Sequence, residues 1–154
     1  MMKKFTFFGI KFIDGNFKSI KILIDKGGLL VLPAAPALLN IKTDKKYHKA
    51  LKNADIALFD SGYFCLLLRM FKRIKVKKFS GLKFLKQFLQ SQKNNSNKIL
   101  FIDPSNKDKI INKKYLKSLR LNKIIQYVAP IYNKDYTKDL NLLKIITKKN
   151  LNIL

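Results

Sequence analysis

Short apolar runs punctuate this chain at intervals, and between them the apolar positions spread out to helical spacing. The first run, Phe5 to Ile13, reads as a strand closed by an Asp14-Gly15 turn, with a hairpin at that turn as the competing reading. Phe17, Ile20, Leu23 and Ile24 then recur as one helical face, and Gly27-Gly28 stops it. Leu29 to Leu32 is an apolar strand ending at Pro33-Ala34-Ala35-Pro36, a stiff, small-sided corner that a ligand could approach closely. One or two helices fill Ala37 to Asn53, with Asp44 as a cap ahead of Tyr47, Ala50 and Leu51. Ile56 to Phe59 is a short buried strand and Tyr63 to Phe71 an apolar helix. Asp60-Ser61-Gly62 is the sharp corner between them.

The second half repeats the alternation. In Lys72 to Lys78, Ile74 and Val76 alternate with basic residues, which suits an exposed edge strand guarded by lysines or, equally, an anion-binding patch. Phe79-Ser80-Gly81 opens a helix with Leu82, Leu85, Phe88 and Leu89 on one face, and Ser91 to Asn97 is a polar loop. Ile99 to Ile102 is a strand stopped by Asp103-Pro104-Ser105. Lys107 to Leu119 follows as a helix with Ile110, Ile111, Tyr115, Leu116 and Leu119 inward. Ile124 to Val128 is a strand ending at Ala129-Pro130-Ile131-Tyr132, and Leu140, Leu143, Ile145 and Ile146 mark a last helix. Strands that are apolar throughout and alternate with helices predict an α/β fold, a Rossmann-like and mostly parallel sheet with helices on both faces. The 154 residues fit a single domain, and the chain stops at Leu151 to Leu154, where another strand is due.

Charge narrows the partners. Lysine and arginine number 33 against 9 acidic residues, all aspartate, for a formal charge of +24. Such an excess suits nucleic acid, acidic lipid headgroups or phosphate-bearing substrates, although an AT-rich genome produces the same lysine bias. Arginine, the usual reader of bases, stands only at positions 69, 73 and 120, and no helix-turn-helix, zinc or RNA-binding signature is present, which disfavours nucleic acid. Cys65 is the sole cysteine and lies inside an apolar helix, so it reads as a small core residue in a reducing compartment. His48, flanked by Lys46 and Lys49, reads as a surface residue. Met1 to Lys4 followed by Phe5 to Ile10 faintly resembles a signal peptide, but the apolar run is short and has no small-residue cleavage site. No stretch approaches the roughly 20 apolar residues that span a bilayer, and a cytoplasmic protein is expected.

Asp60 is the only ionisable group at its corner. A carboxylate at the carboxyl end of a buried strand, before a helix, faces the crevice where α/β sheets collect ligands. The plainer reading is a cap, in which Asp60 or Ser61 bonds first-turn N–H groups of the helix that follows. The two roles pull apart: N–H bonds weaken a carboxylate as a base, whereas apolar neighbours strengthen it.

Leu30 to Ala37 (LVLPAAPA), Asp44 to Leu51 (DKKYHKAL), Asn53 to Gly62 (NADIALFDSG) and Lys78 to Leu85 (KFSGLKFL), with the strand-turn Ile99 to Pro104, resemble the TagA/CpsF/WecG family of bacterial glycosyltransferases in order and spacing. The resemblance covers the family's amino-terminal two thirds, so this chain is expected to be a form shortened at its carboxyl end. It implies transfer of an N-acetylmannosamine-type sugar from a UDP donor to a lipid-linked acceptor. Inversion, no metal and no cofactor are implied too, at the inner face of the membrane, where the protein would sit peripherally against anionic lipid. Asp60 falls on the family's acidic residue and would be the base. Substrate contacts are expected from Pro33, Ala34, Ala35, Ser61, Gly62, Ser80, Gly81, Asp103, Pro130 and Tyr132, with main-chain N–H groups near Gly62 and Ser80-Gly81 meeting the diphosphate. The chain departs from the family with Leu32-Pro33-Ala34 in place of a Thr-Pro-Asn-like segment and with Asp60-Ser61 in place of Asp-Gly. The alternatives are a non-catalytic basic module, binding nucleic acid or an anionic membrane, and an inactive fragment that needs a partner chain; a homo-oligomer is a further expectation.

Overall fold

The computed structural model describes residues 2–93, 98–121, 123–133, 138–149 and 152–153. The chain is mixed α/β and divides into two compact units, Met1–Phe88 and Leu89–Leu154. The expected loop at Ser91 to Asn97 falls partly outside the described residues, as do Leu151 and Leu154 at the expected last strand.

The first unit holds strands β1 (Lys3–Phe7), β2 (Ile10–Asp14), β3 (Leu30–Val31) and β4 (Ile56–Leu58), in the order β1-β2-β4-β3. The parallel part is β2-β4-β3, with Phe12 opposite Ala57 and Leu30 opposite Ile56. The single strand expected over Phe5 to Ile13 is instead an antiparallel hairpin, and its turn is at Phe8-Gly9 rather than Asp14-Gly15. Phe8 (φ 56°) and Gly9 (φ 74°) are both left-handed, the backbone of the two-residue turn whose twist matches that of the paired strands. Asn16, just beyond the expected turn, caps helix α1 (Phe17–Ile24) by accepting from Ser19 N–H at 2.9 Å.

Between β3 and β4 lie α2 (Ala35–Leu39), a 3-10 turn (Asn40–Lys42) and α3 (Lys45–Lys52), the last capped by Asp44 as expected. After β4 come α4 (Gly62–Lys72) and α5 (Gly81–Ser91). Phe12, Ala57 and Phe59 project from one face of the sheet and pack with Leu38, Ile41, Leu51 and Leu68, so α2, α3 and α4 share that face. Side chains alternate across a strand, which sends Ile13 and Leu58 to the opposite face. Both are buried there, and α1 meets α5 through the rings of Phe17 and Phe84. The inward residues of α5 are Phe84, Phe88 and Leu89, while Leu82, expected inward, is 80% exposed.

Lys72 to Lys78 is not an edge strand. Arg73 ends α4 in the left-handed conformation, and an irregular strap returns along the helix. Ile74 N–H bonds the Leu68 carbonyl at one end, and Phe79 N–H bonds the Phe59 carbonyl at the other. Ile74 and Val76 pack on the core cluster and their lysine neighbours stay exposed. The alternation is therefore real, but it serves packing of a strap instead of strand pairing.

The second unit holds β5 (Ile99–Asp103), α6 (Asn106–Ser118), β6 (Ile124–Val128), α7 (Leu140–Lys149) and β7 (Asn152–Ile153), with parallel strands in the order β6-β5-β7. The sequence reading has the chain stop where a further strand begins; two residues of that strand, β7, are present and pair with β5. On α6, Leu116 is buried whereas Ile110, Ile111 and Tyr115 are exposed, contrary to the expected inward set. A polar tie accounts for the rotation: Asn112, on the turn before Leu116, donates to the buried Asp103 carboxylate.

Candidate functional site

In the first unit the corners after β3 and β4 lie at the same edge of the parallel strands, and the start of α5 joins them. A Cβ on Gly81 would stand 3.2 Å from Asp60 Oδ2 and 3.3 Å from Leu32 Cδ2, so these three residues touch. Glycine at 81 is what permits that approach. Ser61, 7% exposed, caps α4 by accepting from Phe64 N–H at 3.1 Å. Asp60 therefore does not cap its own helix. Its Oδ1 accepts from Gly81 N–H at 2.9 Å, reaching 21 residues along the chain to the amino end of α5.

The half-buried Asp60 is thus held at the openings of two helices, α4 and α5. Among the described residues no hydrogen bond engages Oδ2. Gly81 N–H, expected to meet a diphosphate, is committed to Asp60. Ser80 Oγ is only 3.4 Å from Lys83 N, a weak cap. Lys78, the last residue of the basic run that the sequence offers as an anion-binding patch, has its Cδ 3.5 Å from where a Gly62 Cβ would stand, so its stem lies at the corner. Pro33 is buried, Ala34 is the exposed residue before α2 and Ala35 opens that helix, all at the end of β3 beside the Phe59-Asp60 corner. The structure therefore gathers Pro33, Ala34, Ala35, Asp60, Ser61, Gly62, Ser80 and Gly81 on one edge.

Asp103, Pro130 and Tyr132 belong to the second unit, at the carboxyl ends of β5 and β6. Asp103 is fully buried; Asn112 Nδ2 donates to Oδ1 at 2.7 Å and Gln126 Nε2 to Oδ2 at 2.9 Å. Gln126 Nε2 also reaches the Lys109 carbonyl, so this carboxylate ties α6 to the sheet. Pro130 is exposed. Tyr132, 45% exposed, donates its hydroxyl to Asp139 Oδ2 at 2.8 Å. Asp139, a residue the sequence did not mark, also accepts from Tyr127 Oη and from Leu142 N–H at 2.9 Å. The Leu142 N–H first, then the two tyrosine hydroxyls, hold its carboxyl below the usual range against the opposing effect of burial. An aspartate one residue before the helix at Leu140 was the available signal.

His48 is not on a fully solvated face: its Nε2 lies 2.7 Å from the Phe8 carbonyl. It lines a shallow hollow of about 760 Å³ with Phe8, Lys42, Lys45, Lys49 and Lys52. The hollow sits at the Phe8-Gly9 turn, where β2 begins, whereas the Asp60 corner is where β4 ends. Burial pushes the Cys65 thiol up, which suits a packing role for it rather than a nucleophilic one. No group of three or more possible metal ligands occurs among the described residues.

The sequence profile of the Glycosyl transferase WecG/TagA/CpsF family matches residues 6–154. The chain belongs to this glycosyltransferase family. No curated protein matches it. The match spans both units of the glycosyltransferase, including β7. No helix among the described residues is long and apolar enough to cross a membrane.

Proposed function

We propose that this glycosyltransferase moves a sugar of N-acetylmannosamine type from a UDP donor to a lipid-linked acceptor in surface-polysaccharide synthesis, with Asp60 as the base. The observation that carries the reading is the asymmetric fixing of Asp60, with Oδ1 held by Gly81 N–H and Oδ2 unengaged among the described residues. As the acceptor hydroxyl attacks the anomeric carbon, its proton passes to Oδ2. The new C–O bond forms on the face opposite the departing UDP oxygen, so the anomeric centre inverts, and the bonding electrons leave with the UDP. Stabilising the diphosphate falls to the Lys78 ammonium and the main-chain N–H of Gly62, with no metal or cofactor in the scheme. Pro33, Ala34 and Ala35 offer backbone close to the sugar. The acceptor places the reaction at a membrane surface facing the nucleotide-sugar pool.

Calorimetry of UDP binding at moderate salt, with a generic polyanion as competitor, tests the reading. Saturable one-to-one binding that survives the competitor and weakens in Lys78→Gln is expected. If the polyanion removes all binding, the proposal fails and the lysine-lined hollow at His48 becomes the place to look.

A further inference from the structure

The outward side of α4 is apolar where a surface helix should be polar. Leu68 and Phe64 face the core, and the residues on the opposite side are Leu66 and Met70, flanked by Tyr63. Leu66 is 50% exposed, Tyr63 62%, Met70 63% and Phe71, near the helix end, 75%. Large apolar side chains exposed on a helix that also carries cations are the pattern of a helix lying in a membrane interface. Alongside it runs a line of cations: Arg69, Lys72 and Arg73 on the helix and its end, then Lys75 and Lys77 on the returning strap, all exposed. From Ser61 to Ile102 the sequence has no acidic residue, and among the described residues none of these cations is in an ion pair.

We infer that α4 and its strap form the surface by which the enzyme lies on an anionic bilayer, the apolar side chains entering the headgroup boundary and the cations meeting lipid phosphates. Charge selects this occupant over a second copy of the chain. A two-fold interface on α4 would set five cations against the same five, without a counter-charge on either side. The inference deepens the proposed transfer to a lipid-linked acceptor and rests on it for its purpose. Since α4 begins at Gly62, two residues after Asp60, a helix lying in the interface holds the base at the depth where a lipid-linked hydroxyl emerges.

The chain has no tryptophan, so a single introduced indole reports its own surroundings. Leu66→Trp, with Ile22→Trp on α1 as the control from the opposite face of the sheet, is mixed with phosphatidylcholine vesicles with and without phosphatidylglycerol. With phosphatidylglycerol present, the Leu66→Trp emission is expected to shift blue and be quenched by brominated acyl chains, while the Ile22→Trp emission does neither. The Leu66→Gln/Met70→Gln double variant, at exposed positions, should sediment with these vesicles about tenfold more weakly or worse and still bind UDP as the parent does. Vesicle binding undiminished in the double variant, or an indole that stays in water on bound vesicles, overturns the inference. So does an indole that becomes buried without vesicles as protein concentration rises, because it assigns the face to a second copy. Should the double variant lose its circular dichroism signature, the quenching result decides alone. Loss of UDP binding with vesicle binding intact would sink the transfer reading while leaving the docking surface standing.

Discussion

Two substitutions at Asp60 separate a base from a cap, because they remove different things from one geometry. In Asp60→Asn the amide oxygen still accepts from Gly81 N–H at the observed 2.9 Å, so the tie to α5 survives as a neutral bond. What is lost is the charge at two helix openings, about 0.5–1 kcal/mol. Asp60→Ala removes the acceptor too and leaves the first N–H of α5 without its partner, raising the cost to about 1–2 kcal/mol. Activity should order differently. Neither variant can take the acceptor's proton, so both should lose at least about 100-fold in kcat. Denaturant midpoints give the stability pair, and release of UDP in the presence of acceptor lipid gives the rates. A less than tenfold loss of rate in Asp60→Asn, with the stability costs as stated, would refute the base and leave Asp60 as the cap of α5.

Other positions make separate demands. Asp103→Ala should destabilise by about 3 kcal/mol or more, seen as a lowered denaturant midpoint, since Asn112 and Gln126 lose the buried acceptor they share. Gly28→Ala should cost about 2 kcal/mol, because the residue has φ 115° and a Cβ would stand 2.7 Å from Asp55 Oδ2; an unchanged melting temperature would show that the loop shifts freely. The Asp139 carboxyl, held below the usual 3.8, contributes stability that is fully present above that value and lost as pH falls through the lowered one. Melting temperature followed into acid should therefore drop more steeply in the parent than in Asp139→Asn.

Local signals read well and distant ones did not. The corner at Asp60, the Asp44 cap and the alternation of strands with helices were all visible because each depends on neighbours within a turn or two. The hairpin hid inside one apolar run, since Phe8-Gly9 lacks the polar residue that usually announces a two-residue turn. At Lys72 to Lys78 the period of two was read correctly, but a strap packing every second side chain has the same pattern as an edge strand. The inward face of α6 was misjudged because hydrophobicity favoured Ile110 and Ile111, whereas Asn112 follows a carboxylate nine residues earlier. The partner of Asp60 could not be read at all. Nothing in the sequence says that a carboxylate will cap a helix starting 21 residues later.

The buried Asp103 constrains the order in which the second unit can be assembled. Its two partners arrive 9 and 23 residues after it, one from α6 and one from β6. As the chain leaves the ribosome, β5 and α6 on their own would enclose a carboxylate with one lone amide to satisfy it, an arrangement costlier than leaving it in water. Only when Gln126 emerges is the second oxygen answered. The strand-helix-strand segment is thus made to close in one step, with no comfortable stopping point between its first strand and its second.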